Sequence, residues 1–104
     1  INDAGLTAAA AVSFSSVLGM KNLIEVDPVT AAEDFARYGR TEENIPIAMF
    51  WLGTVNPSKF ELHSKEGGTL PHLHSPDFYP DFIPTYTTGV LGMSRVVLDL
   101  FRNK

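Results

Sequence analysis

His72 and His74 flank Leu73 in a stretch full of prolines: Pro71, Pro76, Pro80 and Pro84. Proline restrains its own backbone and that of the residue before it, so this stretch reads as a stiff, extended loop and not a helix. A stiff backbone suits a side chain that must point one way. Neutral imidazole is the commonest protein ligand for a transition metal and titrates near physiological pH. Alternate residues of an extended segment share a face, so His-x-His would present both rings together. A third ligand would still be needed, and His63, between Leu62 and Ser64, is the remaining histidine. By residue type alone, a surface loop carrying histidines is the simpler account, and His63 reads as a surface residue.

Carboxylates come next. Glu33 and Asp34 are adjacent and resemble a catalytic pair. Thr30-Ala31-Ala32-Glu33 also matches a capping box, in which the threonine hydroxyl and the glutamate carboxylate each satisfy a backbone N–H at a helix start. Negative charge in a first turn complements the helix dipole. A structural role therefore accounts for both residues.

The elements that would position these groups follow from the patterning. Asn2-Asp3, with Thr7 as a second candidate, offers a helix N-cap. Leu6, Ala10, Phe14, Val17 and Leu18 form an apolar stripe at helical spacing, and Gly19 supplies a stop. Lys21 to Val26 reads as a short strand closed by Asp27-Pro28. A second helix follows Thr30, with Phe35 and Tyr38 turned inward, and Gly39 closes it. Ile45 to Leu52 is the most apolar run and reads as a buried strand, which would need cover on both faces. Thr54 to Thr69 reads as a long irregular loop with turn signals at Asn56-Pro57 and Gly67-Gly68. Tyr86, Val90, Met93, Val97, Leu100 and Phe101 return to helical spacing, with Pro84 near the first turn and Arg102 and Lys104 at the end.

Composition narrows the function classes. The chain has 104 residues, 44% of them hydrophobic and 19% charged. That is enough for one small domain or part of a larger one, and the low charged fraction fits a surface normally covered by more protein. The chain begins with Ile1, which reads as processing, truncation or excision from something longer. A net charge of −4 argues against nucleic-acid binding, which needs a basic face. No cysteine is present, so disulfides and thiolate metal sites are excluded within these residues. No apolar run approaches the ~20 residues of a membrane helix. The cytoplasm is the default compartment.

His74-Ser75-Pro76-x-Phe78, followed by Asp81, Ile83-Pro84 and Gly89, resembles the end of a metallo-amidohydrolase. The family contains aminoacylases, hippurate hydrolases, auxin-conjugate amidohydrolases and related carboxypeptidases. Ala32-Glu33-Asp34-Phe35-Ala36-Arg37-Tyr38 is similar to its Glu-Asp-Phe segment, and Ile45 to Gly53 to its strand ending in Leu-Gly. The resemblance runs from Asn2-Asp3 onward. It departs before the last helix, where Asp81 stands in place of an Asp-Glu pair and Gly89 lies further beyond Pro84 than in the family.

The resemblance implies an α/β fold: the C-terminal fragment of a three-layer α/β/α zinc-peptidase-like catalytic domain, with short strands and packing helices. Residues 1–104 would be one partial domain, lacking the capping domain and the N-terminal half. It implies His74 as a metal ligand, with Glu33, Asp34 and Phe35 at the pocket wall; His72 has no counterpart in the family and either flanks the pocket or faces solvent. The parent enzyme would hold two divalent metal ions, zinc first, then manganese or cobalt, and hydrolyse an N-acyl amino acid or peptide amide. Its partners would be the missing N-terminal part of the same chain, a small substrate and, by self-association, a homodimer mate. Three histidines do not make a two-metal hydrolase, so the isolated fragment is expected to be inactive and metal-free or weakly metal-binding. The competing expectations are a non-enzymatic small α/β interaction module and a single-metal protein built on His63, His72 and His74.

Overall fold

The computed structural model describes residues 2–29 and 34–102. In chain order it contains α1 (Ala4–Leu18), a 3-10 turn (Met20–Asn22), a longer 3-10 helix (Asp34–Arg40), α2 (Pro57–Glu66) and α3 (Phe82–Arg102). Two compact units emerge: residues 1–51 with 90–104, and residues 52–89. No helix among the described residues is long and apolar enough to cross a membrane.

The first unit begins with a well-made cap. Asp3 is extended (φ −66°, ψ 129°), and its Oδ1 accepts the Leu6 N–H at 2.7 Å. One of the orphan donors of the helix start is thereby satisfied. At the other end the Gly19 N–H donates to the Ser15 carbonyl, and the Asn22 amide donates to the Leu18 carbonyl at 2.6 Å. Between these caps α1 carries no charged side chain in 15 residues.

α1 meets the C-terminal half of α3 through a few specific contacts. The buried Ser13 hydroxyl donates to Asp99 Oδ2 at 2.9 Å, and Arg95 Nε donates to the same oxygen at 2.7 Å. Gly92 is buried under Phe14: a Cβ added there would lie 3.0 Å from Phe14 Cε1 and 3.5 Å from Leu18 Cδ1. Phe14 in turn sits edge-on to Phe50, with centroids 4.7 Å apart. Val96, one helical turn from Gly92, is 7% exposed and is the buried large apolar side chain among the described residues.

The bond from the Arg95 guanidinium, and then that from the Ser13 hydroxyl, hold the Asp99 carboxyl below its usual range. A carboxylate whose pKa is depressed on folding contributes stability that is present above its unfolded value, about 3.9, and lost as pH falls through the folded value. Thermal midpoints should therefore drop as acid is added below about pH 4. Asp99→Asn should lower stability at neutral pH and remove this part of the acid slope, leaving the part from Glu43, which Thr41 also holds low.

The α/β expectation is corrected: among the described residues there is no strand and no sheet. Lys21 to Val26 begins inside the 3-10 turn and continues without regular structure. Ile45 to Leu52 has no ladder partner. Its backbone bonds instead to the start of the chain: the Asp3 N–H donates to the Ile47 carbonyl at 2.8 Å. The Asn2 side-chain amide takes both main-chain groups of Met49, donating to its carbonyl at 2.7 Å and accepting its N–H at 2.9 Å. A strand needs a ladder of such backbone bonds, and here a single one is flanked by the bonds of a side-chain amide. Nor is the segment buried. Phe50 is 43% and Trp51 51% exposed.

In the second unit, the irregular loop expected from Thr54 to Thr69 is largely α2. Asn56 caps it by accepting the Ser58 N–H at 2.9 Å, Pro57 opens it, and Gly67 ends it in the left-handed region (φ 68°) that glycine adopts without steric cost. A clasp closes the unit. The Asn56 amide donates to Asp81 Oδ2 at 3.2 Å, and the Asp81 N–H donates to the Thr54 carbonyl at 2.8 Å. Leu52 lies against Gly89, where an added Cβ would stand 3.1 Å from Leu52 Cδ2.

Candidate functional site

Two consecutive turns, tied within the clasped unit, carry His72 and His74. The Ser75 N–H donates to the His72 carbonyl at 2.8 Å, and the Phe78 N–H donates to the Ser75 carbonyl at 3.1 Å. The Ser75 hydroxyl also accepts the Asp77 N–H at 3.1 Å. Ser75 is thus the pivot of the segment, bonded through its N–H, its carbonyl and its hydroxyl. Serine before proline is a turn signal, and that pair marks the pivot in the sequence.

Both imidazoles are exposed and neither makes a hydrogen bond or ion pair. An imidazole placed on such a turn can serve as a monodentate metal ligand. Asp81, nearby in sequence, does not orient His74, because its carboxylate is held by Asn56. His63 lies apart on α2, half-buried, with Nδ1 3.0 Å from where a Gly68 Cβ would stand. Among the described residues no three His, Asp or Glu side chains come together to hold a metal ion. A self-contained centre of His63, His72 and His74 is therefore not formed.

The acidic segment falls in the first unit. Thr30 to Glu33, including the capping box and the expected wall residue Glu33, lie outside the described residues. Asp34 opens the longer 3-10 helix, is exposed, and pairs with Arg37 Nε at 3.3 Å. Both side chains are open to solvent, where such a pair contributes little. Phe35 is half-buried with its ring centroid 5.9 Å from that of Tyr38. The inward placement expected for Tyr38 is corrected, since it is 67% exposed. Beside this helix an open hollow of about 330 Å³ is lined by Gly39, Arg40, Asn44 and Ile47, with Asp3 at its edge. It contains no histidine.

The described residues thus offer exposed imidazoles but no complete metal centre. Set against known proteins, the chain matches no family model, no curated protein and no solved structure.

Proposed function

We propose that this chain forms the C-terminal part of a metal-dependent amidohydrolase and contributes His74 as one ligand of its two-metal centre. The observation that carries the reading is the His74 turn: an exposed ring with both nitrogens uncommitted, on a backbone fixed by the three bonds of Ser75. The sequence around it supplies the family resemblance. The metals, zinc with manganese or cobalt as substitutes, would polarise the amide carbonyl and acidify a bound water. This chain's part is to hold His74 on a hydrogen-bonded turn. Asp77 and the Ser75 hydroxyl shape its turn, and His72 lies beside it in sequence. The remaining ligands and the general base belong to residues outside these 104, so the isolated chain is inactive. The substrate class is an N-acyl amino acid or a short peptide.

The test begins with the native polypeptide in its source cells, detected by an antibody raised against this chain. A product several times larger than 11.4 kDa is expected. In that polypeptide, His74→Ala should remove one of two bound metals and lower hydrolysis of hippurate-type substrates about 100-fold or more; even residues that only orient ligands cost 10–100-fold. Retention of both metals and of full activity would refute the assignment.

A second reading, a non-enzymatic interaction module, is favoured by the exposed surface. Large apolar side chains stand in solvent, among them Ile24 at 81%, Tyr79 at 79% and Met20 at 74%. A native product near 11.4 kDa would select that reading.

A further inference from the structure

α3 has two different apolar sides. One, with Gly92 and Val96, is buried and receives Phe14 and Leu18. On another, Ile83, Tyr86, Val90, Met93, Val97 and Leu100 recur at alternating intervals of three and four. That is the seam of a coiled-coil heptad. All six are exposed, from 67% at Ile83 to 38% at Leu100. The residues bordering the seam are Phe82, Thr87, Gly89, Ser94, Val96 and Phe101, none of them charged. The nearest charges, Arg95 and Asp99, are already bonded to each other.

We propose that two copies of this chain pair through α3, antiparallel about a two-fold axis, with this seam as the contact. The seam complements itself under that operation. Reversing one helix sets Ile83 against Leu100, Tyr86 against Val97 and Val90 against Met93 of the second copy. The bulkier Tyr86 and Met93 thus each face a valine. A parallel pair would instead set Tyr86 on Tyr86 and Met93 on Met93. Antiparallel packing also opposes the two helix dipoles, and no charge at the borders repels a like charge across the seam. The pairing does not depend on His74 and stands whether or not the chain binds metal.

The experiment is sedimentation equilibrium of the 104-residue chain across a dilution series, with cysteine cross-linking. The dimer, at twice 11.4 kDa, should dominate at high concentration and dissociate on dilution. Val97→Glu, at an exposed position away from the α1 contact, should weaken association at least about 100-fold, since it buries an unpaired charge. The chain has no cysteine of its own, so introduced thiols report only the seam. A mixture of Val90→Cys and Met93→Cys chains should oxidise to the mixed dimer faster than either forms its own. A mass of 11.4 kDa at every concentration overturns the proposal. So does a Val97→Glu dimer of unchanged strength, or Val90→Cys self-linkage that outruns the mixed product.

Discussion

Val96→Asp is expected to abolish the cooperative thermal transition of the chain. Val96 is 7% exposed and lies one helical turn from Gly92, where α1 meets α3. A carboxylate there enters an apolar contact beside a base that is already engaged: Arg95 donates to Asp99. Asp99 itself stands three residues on, so the new charge would face a like charge on the same side of the helix. Removing solvent from an unpaired charge costs several kcal/mol in practice. Ordinary domains are stable by only about 5–15 kcal/mol, and this chain buries little side-chain surface. Ellipticity at 222 nm should fall smoothly with temperature in the variant and sigmoidally in the parent. Leu98→Asp, at a 54% exposed position, should keep the sigmoid and cost only about 0.5 kcal/mol through helix propensity. A sigmoidal melt for Val96→Asp would remove the α1–α3 contact from the account of stability.

Gly92→Leu is expected to destabilise the same contact by about 2 kcal/mol, the middle of the range for overpacking a filled site. An added Cβ would already lie 3.0 and 3.1 Å from two carbons of the Phe14 ring, which is closer than side-chain carbons normally approach. The rest of a leucine would have to displace that ring from Phe50, its edge-on neighbour. Gly92→Ala isolates the two opposing terms. It gains about 1 kcal/mol of helix propensity and requires Phe14 to yield by a few tenths of an ångström, so it should come out near neutral. Urea midpoints for the pair decide the matter: leucine at or above the parent would mean that Phe14 is not fixed against α3.

The helices were largely readable, because their signals are local. Asp3 as N-cap, Gly19 as stop and the 3–4 spacing from Tyr86 to Leu100 act within one or two turns. α2 was equally announced, by Asn56-Pro57 at its start and Gly67 after its end, but its weak apolar pattern let those residues pass for loop turns. The strands were misread for a different reason. Apolar character in Ile45 to Leu52 reports a wish for burial, whereas a strand needs a second backbone at hydrogen-bonding distance. Period and composition carry no information about that partner, and in this chain it amounts to one backbone bond from Asp3 beside the Asn2 side chain. At the candidate site, Pro71 and Pro76 announced the absence of a helix, but the extended segment expected there is two hydrogen-bonded turns. The pivot role of Ser75 and the engagement of Asp81 by Asn56 were not legible, since the latter joins residues 25 positions apart.

The lock between Ser13 and Asp99 closes a gap of 86 residues. A ribosome adds about 5–20 residues per second, so α1 emerges roughly 4–17 seconds before the helix that supplies Asp99. Throughout that interval an uncharged, alanine-rich helix with Phe14 and Leu18 lacks the α3 contacts that cover them. Chain elongation, not the closing of the lock, then sets the pace at which this unit matures. Slow codons between α2 and α3 would lengthen that exposure without changing a single residue.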